Sequence, residues 1–276
     1  MKTILMTGAA GSIGTFLRKE LADRYRLRLS DIRTIADLRG NESFMPGECA
    51  SLDDMLRVTE GVAGIIHLGG FSVEGPWDAI LHSNIIGTYN LYEAARRNGV
   101  KRVIFATSNH AIGFFKRTDR IDHTVYPKPD GRYGLSKMFG EGVASLYADK
   151  YGVSSLCIRI GNVAMQPVDV RRLSIWISPR DLAQLMEIGL DHPDIRFEIV
   201  YGASDNARGW WDNTNAHRLG YRPRDRSEDF AADVLRLHPS TTGDPIADAH
   251  QGGSFCTSEK GGDPFKTADG RPIGTR

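Results

Sequence analysis

Thr7-Gly8-Ala9-Ala10-Gly11-Ser12-Ile13-Gly14 is the stretch that decides the fold. Before it, Lys2–Met6 reads as a β-strand. After it, Ile13–Tyr25 reads as a helix with Phe16, Leu17 and Leu21 on one face. The spacing Gly8, Gly11, Gly14 departs from G-x-G-x-x-G, so the position of the loop carries more weight than its letters. Glycines between a strand and a helix permit a tight turn, close approach of the backbone to a pyrophosphate, and close packing of helix on strand. The free N–H groups and partial positive charge of the helix start would face the phosphates. In a sheet protein without nucleotide the same residues would be a plain turn, but strand, turn and helix in this order favour a dinucleotide.

The next strand, Arg26–Ser30, ends at Asp31, where a carboxylate would bond the adenosine ribose hydroxyls and repel the extra phosphate of NADP. NAD is therefore the expected cofactor. Arg33 is the one nearby group that could accept that phosphate, and Asp31 could alternatively cap a turn.

Outward from this loop the alternation continues. Leu52–Val58 reads as a helix and Gly64–Leu68 as a strand running into Gly69-Gly70. The stretch from about Trp77 to Asn98 reads as one long helix burying Ile85, Ile86, Tyr89, Leu91 and Tyr92. Arg102–Thr107 is a strand, Tyr133–Tyr151 a helix and Ser154–Ile160 a strand. This is the α/β pattern of a Rossmann-type doubly wound parallel sheet with a small C-terminal substrate lobe. The expected division is an NAD-binding Rossmann domain over 1–163, a small substrate-covering lobe over 164–242, and an extended C-terminal tail over 243–276. The lobe carries Pro167, Pro179, Pro193 and Pro223, short helices and a strand at Phe197–Tyr201.

Composition excludes several other classes. With 25% charged residues, 41% hydrophobic residues and a formal net charge of +1, the chain has no nucleic-acid footprint. Thr3-Ile4-Leu5-Met6 is too short an apolar run for a secretory signal, and no run approaches the roughly 18 residues that span a bilayer. Cys49, Cys157 and Cys256 form no CxxC pair and read as reduced thiols, which predicts a cytoplasmic protein. The eight histidines show no metal-ligand spacing, so no metal is expected.

Tyr133-Gly134-Leu135-Ser136-Lys137 is the sharpest chemical signal. Residues four apart share a helix face, which brings the Lys137 ammonium near the Tyr133 phenol. A free phenol, with a pKa near 10, is a poor base at neutral pH, and a nearby positive charge would lower that value. Lys137 can also bond the nicotinamide ribose. A third partner is expected at the end of the strand Arg102–Thr107. There Ser108 can donate to the substrate oxygen, while Thr107 is expected to be buried.

Taken together, the glycine loop, His67-Leu68-Gly69-Gly70, Asn84-Ile85-Ile86-Gly87-Thr88, Ser108 and the tyrosine–lysine pair resemble the extended short-chain dehydrogenase/reductases. Phe71-Ser72-Val73-Glu74, Ser108-Asn109-His110-Ala111-Ile112-Gly113, Arg171 with Leu173-Ser174-Ile175-Trp176, and Gly209-Trp210-Trp211-Asp212-Asn213 narrow the resemblance to the bacterial uronate dehydrogenase family. It runs over residues 1–255, through Gln251-Gly252-Gly253-Ser254-Phe255. The resemblance implies NAD-dependent oxidation of a hexuronic acid (galacturonate or glucuronate) at its anomeric carbon to the aldarolactone, by a homo-oligomer. Tyr133 would be the general base, with Lys137 and Ser108 beside it. Gly8, Gly11, Ser12, Ile13, Gly14, Asp31, Leu52, Leu68, Gly69, Asn84, Lys137 and Val163 would hold the cofactor. Ser72, Ser108, Asn109, His110 and Asn162 would contact the sugar, and Arg171 would hold its carboxylate. Two departures stand out. Asn162 takes a position where the family often has serine, and Ala50 replaces an aspartate expected near the adenine, with Asp53 a substitute.

Local chemistry agrees with Arg171 in that role, because its planar fork matches a carboxylate bidentately. Its bland alternative is a surface arginine beside Arg172. His110 is either a polar contact or a satisfied core histidine, and Trp210 and Trp211 read as packing residues. Two other functions fit the same scaffold. One is a nucleotide-sugar epimerase or dehydratase that cycles its NAD, for which the lobe is short. The other is a non-catalytic NAD sensor, against which the intact Ser–Tyr–Lys set speaks.

Overall fold

Strands with apolar residues at consecutive positions are buried on both faces, and the computed structural model, which describes residues 1–238 and 241–258, sets such strands at the centre of a sheet of seven. The seven are β1 (Thr3–Thr7), β2 (Arg26–Ser30), β3 (Glu42–Phe44), β4 (Gly64–His67), β5 (Arg102–Ser108), β6 (Ser154–Ile160) and, after two short strands β7 (Asn162–Val163) and β8 (Trp176–Ile177), β9 (Phe197–Gly202). The order is β3-β2-β1-β4-β5-β6-β9, with every pairing parallel. The chain builds one edge through β2 and β3, then crosses back to lay β4 on the other side of β1. Ligands bind at such a switch point, outside the carboxyl ends of the strands.

The helices are α1 (Ser12–Glu20), α2 (Leu52–Thr59), α3 (Trp77–Ile80), α4 (Gly87–Arg97), α5 (Arg132–Tyr151), α6 (Arg172–Ile175), α7 (Pro179–Asp191), α8 (Thr214–Arg218), α9 (Ala231–Leu237) and α10 (Pro245–Ala249). Strand alternation sorts the core into two layers. Ile4, Met6, Ile104 and Ile158 pack with Leu17 of α1, with Leu21 just past its end and with Leu182, Leu185 and Met186 of α7. Leu5, Val103, Phe105 and Cys157 face the other way, onto Met55, Leu91, Tyr92, Val143 and Tyr147. Burying one such aliphatic side chain contributes roughly 1.5–3 kcal/mol, so burial on both faces holds the layers together more than helix propensity does. Sequence-local signals set the helix starts: Ser51 accepts from the Asp54 N–H, and Ser178, followed by Pro179, accepts from Asp181.

Several boundaries differ from the sequence reading. The first helix ends at Glu20 instead of Tyr25. The expected single helix over 77–98 is α3, a π-helical segment Leu81–Ile86, and α4. Within it Leu91 and Tyr92 are buried and Ile85 and Ile86 half-buried, but Tyr89 is 48% exposed. Tyr89 lies on the outer side of α4, where period 3.6 cannot be read once a π turn has shifted the register. β3 had no apolar pattern to announce it. It pairs with β2 and is tied to α1 by Arg18, which donates to Glu42 through Nε at 3.0 Å and Nη2 at 2.7 Å.

Residues 164–242 do more than cover the sheet: β9 pairs with β6 along Ser155–Ile160, and α7 packs on the sheet face. Ala216, Leu219 and Tyr221 join the main core as well. Two smaller cores stand beside it: one joins Ile175, Tyr201 and Trp211 to Ile112 and Ile121, and the other joins Leu173, Ala231 and Val234. Trp211 is a packing residue, stacked on Tyr201 with ring centres 4.9 Å apart. Of the expected tail, residues 243–258 wrap onto the body through α10 and a helical turn at Gly253–Cys256, and 259–276 lie outside the described residues. No helix among the described residues is long and apolar enough to cross a membrane.

Candidate active site

The carboxyl ends of β1, β2, β4, β5 and β6 open onto one cavity of about 660 Å³. The glycine loop forms one wall. Gly8 has φ +67° and packs so closely on the next loop that a Cβ there would lie 2.7 Å from the Gly69 N. Any other residue would be both strained and obstructed. α1 starts at Gly11 with no capping side chain and no acidic residue in its first turn, which leaves its first N–H groups for a ligand's phosphates. Asp31 lies at the rim, its Oδ2 accepting the Ala10 N–H at 2.9 Å and its Oδ1 accepting the Arg33 N–H at 3.0 Å. Asp31 thus caps its turn, and its side chain also borders the cavity. The Arg33 side chain is turned to the Ala10 carbonyl at 2.7 Å. An open glycine cradle, an uncapped helix start and a carboxylate at the end of β2 fit a dinucleotide with free ribose hydroxyls.

Further along the same cavity lie Ser108, Tyr133 and Lys137. α5 presents Tyr133 and Lys137 on one face, as their spacing requires. The Ser108 hydroxyl is hydrogen-bonded to the phenol and pulls its pKa down, yet burial and the nearby Asp130 push the phenol up to about 12. The expected lowering comes from Ser108 and not from Lys137, and it is outweighed. The Lys137 Nζ donates to the Ala106 carbonyl at 2.9 Å and lies 5.6 Å from the centre of the Tyr133 ring. Burial brings the Lys137 ammonium itself down to about 8. Thr107 is buried as expected, donating to Glu141 at 2.9 Å, and Glu141 in turn pairs with the buried Arg159.

At the far end, the helical turn Asn109–Ile112 after β5 carries Asn109 and His110 into the cavity wall. Arg171 meets them from the segment before α6. It donates to the Gln251 carbonyl through Nε at 2.9 Å and Nη2 at 2.6 Å. With its amide turned so that both atoms are satisfied, Asn109 donates to the Ile160 carbonyl at 3.2 Å and accepts from Arg171 Nη2 at 3.0 Å. Arg172 is paired with Asp169, whereas no carboxylate among the described residues reaches Arg171. Burial and the neighbouring Arg117 and Arg172, only partly offset by Asp169 and Asp130, bring its pKa down to about 10. A buried cation pressed by two others favours an anionic ligand. The Asn162 Oδ1, also on this wall, is buried without a partner among the described residues.

Of the residues expected at the site, two stand off the cavity wall. Leu52 opens α2 and packs half-buried against the core layer beneath. Asn84 turns inward and braces the loop after β4: it accepts the Phe71 N–H at 2.7 Å, donates to the Phe71 carbonyl at 2.9 Å and donates to Ser136 at 2.9 Å. All the others border the cavity. Ala50 borders it too, while Asp53, its suggested substitute, does not. Sequence reading missed Phe255, which stacks on His110 with ring centres 3.7 Å apart, and Cys49, whose buried thiol is pushed up to about 12. A distant aromatic gives no local signal that it will fold back onto a strand end.

The NAD dependent epimerase/dehydratase family matches residues 4–169. The chain is 47% identical to a uronate dehydrogenase of Pseudomonas syringae pv. tomato over 94% of its own length and 95% of that protein. Among solved structures, it is similar to a glucuronic acid dehydrogenase from Chromohalobacter salexigens, with a TM-score of 0.90, 42% identity, and coverage of 93% of this chain and 97% of that one. A uronate dehydrogenase from Agrobacterium tumefaciens, a tyrosine-to-alanine mutant complexed with NAD, superposes with a TM-score of 0.91 at 40% identity, covering 97% of this chain and 100% of that one.

Proposed function

The chain belongs to the NAD dependent epimerase/dehydratase family and, within it, to the uronate dehydrogenases, and from that premise we propose that it oxidises a hexuronic acid at the anomeric carbon to the aldarolactone with NAD. The observation that carries the substrate class is Arg171, a guanidinium beside Asn109 on the cavity wall that forms no ion pair with a carboxylate among the described residues.

The residues divide the work. Gly8, Gly11 and the start of α1 cradle the phosphates, Asp31 takes the adenosine ribose, and Lys137 takes the second ribose. NAD, when bound, supplies the acceptor for the hydride. Tyr133, in its ionised form, removes the proton of the anomeric hydroxyl while Ser108 donates to the same oxygen. Arg171 grips the carboxylate, and Asn109, His110, Ser72 and Asn162 hold the ring in reacting geometry. As part of the same proposal, the enzyme works in the cytoplasm as a homo-oligomer, with its three thiols free.

Incubation with NAD and galacturonate or glucuronate should produce NADH. Activity on a nucleotide-sugar with none on either acid would overturn the proposal in favour of an epimerase or dehydratase. A Tyr133→Phe substitution should abolish turnover and spare NAD binding, whereas an unchanged phenotype would point to a sensor.

A further inference from the structure

Beside the proposed sugar site stands a buried carboxylate to which the reaction above gives no role. The Asp130 side chain is wholly removed from solvent, and its Oδ2 lies 2.6 Å from Nδ1 of His110. The backbone repeats the link, the Asp130 N–H donating to the His110 carbonyl at 3.2 Å. Three segments close around the group. A Cβ added at Gly113, after β5, would fall 1.9 Å from Oδ2. One at Gly252, in the C-terminal segment, would fall 2.0 Å from the same atom, and one at Gly134 of α5 would fall 3.1 Å from Oδ1. The Gly252 N–H donates to the Gly113 carbonyl at 2.8 Å and so joins two of these walls. The carboxylate thus sits in a space from which side chains are missing on three sides.

A buried carboxylate is costly unless it is used by a partner. The polar partner it has among the described residues is the imidazole, since its other oxygen, Oδ1, is buried and unbonded. The imidazole is also fixed in its plane. Phe255 stacks on it at 3.7 Å and 19°, and the Tyr133 ring meets it edge-on at 5.8 Å. With Nδ1 taken up by Asp130, Nε2 is the ring nitrogen left for a ligand in the cavity that His110 borders.

We propose that Asp130 is a positioning residue: it holds His110 in one plane with the ring proton on Nδ1, so that Nε2 accepts a hydrogen bond from a hydroxyl of the sugar acid. Of the two ring nitrogens, the one facing an acceptor carries the proton and the other becomes an acceptor in turn. This inference rests on the uronate reading for the identity of the ligand, but the tautomer it requires belongs to the protein alone.

Two measurements test it. Nitrogen-15 NMR of the wild-type protein without sugar should show the His110 ring protonated at Nδ1 and bare at Nε2. A ring protonated at Nε2 would overturn the proposal, whatever the substrate is. In kinetics, Asp130→Asn should raise KM for the uronate roughly tenfold, with KM for NAD unchanged. In a His110→Gln background, the same substitution should add little. A full tenfold effect in that background would make Asp130 a structural anchor of the C-terminal segment and overturn the positioning role. If the wild type oxidises neither uronic acid, the proposed function fails by itself, and the NMR result still decides the tautomer.

Discussion

Glu74 accepts the backbone N–H of Tyr133 at 3.0 Å through Oε2 and that of Arg132 at 3.2 Å through Oε1. A carboxylate from the loop after β4 therefore closes the first turn of the helix that carries the phenol. A negative charge at a helix start is favourable, and it satisfies two N–H groups that have no intrahelical acceptor. The loop is held in turn by Asn84, so a chain of contacts runs from Ser136 through Asn84 and the Phe71 backbone to the loop that holds Glu74.

Removing that cap loosens the base. Glu74→Ala should cost about 0.5–2 kcal/mol of stability, the usual range for a lost helix cap. It should also lower kcat several-fold while KM for NAD stays as it was. Urea unfolding together with initial-rate kinetics would check both, and an unchanged kcat would show that Tyr133 holds its place without Glu74.

Arg171 should set the charge preference of the site. Replacing it with Met removes two or so charge-assisted hydrogen bonds, each worth about 1.5–3 kcal/mol, and so should reduce kcat/KM for the uronate by about 10²-fold or more. The binding of NAD, measured by fluorescence titration, should not change. Equal losses for a uronate and for the neutral hexose of the same configuration would show that Arg171 serves packing of the Gln251 segment instead.

Lys137 carries a penalty that pH relieves. Its folded pKa, about 8, lies below the ordinary 10.5, so between those values the unfolded chain binds the extra proton and stability rises with pH. Below pH 8 the whole penalty is present, about 3 kcal/mol at 1.36 kcal/mol per pH unit. Lys137→Met leaves the Ala106 carbonyl without its donor, which returns about 1–3 kcal/mol. The variant should therefore be inactive and close to wild type in stability at pH 7, and should fall behind wild type as pH climbs from 8 to 10.5. Denaturant unfolding at the two ends of that window would check the sign.

Asp31 should govern the choice between NAD and NADP. Its carboxylate borders the cavity near the turn of α1 and is only 9% exposed. Asp31→Ala should raise KM for NAD roughly tenfold, since hydrogen bonds to a charged group are lost. It should also narrow the ratio of kcat/KM for NAD over NADP. A ratio that does not move would leave Arg33 and the loop backbone as the determinants.

The glycine loop, the strand Arg26–Ser30 ending at Asp31, the strand Ser154–Ile160 and the Tyr133–Lys137 pair were legible in the sequence because each depends on neighbours within about four residues: a turn, a strand period, a helix face. Local order also placed Ser108 at a strand end and kept Thr107 buried. What the tertiary structure decided lies across long separations. Leu52 and Asn84 stand near the cofactor wall in sequence order, yet the packing of α2 on the sheet and the bracing of Phe71 turn both away from it. The phenol's pKa could not be read from the i, i+4 spacing, because desolvation by the folded body raises it while the ammonium bonds a strand carbonyl instead. The last feature is Arg171 held by Gln251, and Phe255 laid on His110 from 145 positions away in the chain. Sequence patterning by itself determined which chemistry this protein carries. Only the packing of a distant C-terminal segment over the strand ends decided the shape of the cavity that these residues share, because burial and long-range contact have no period along the chain.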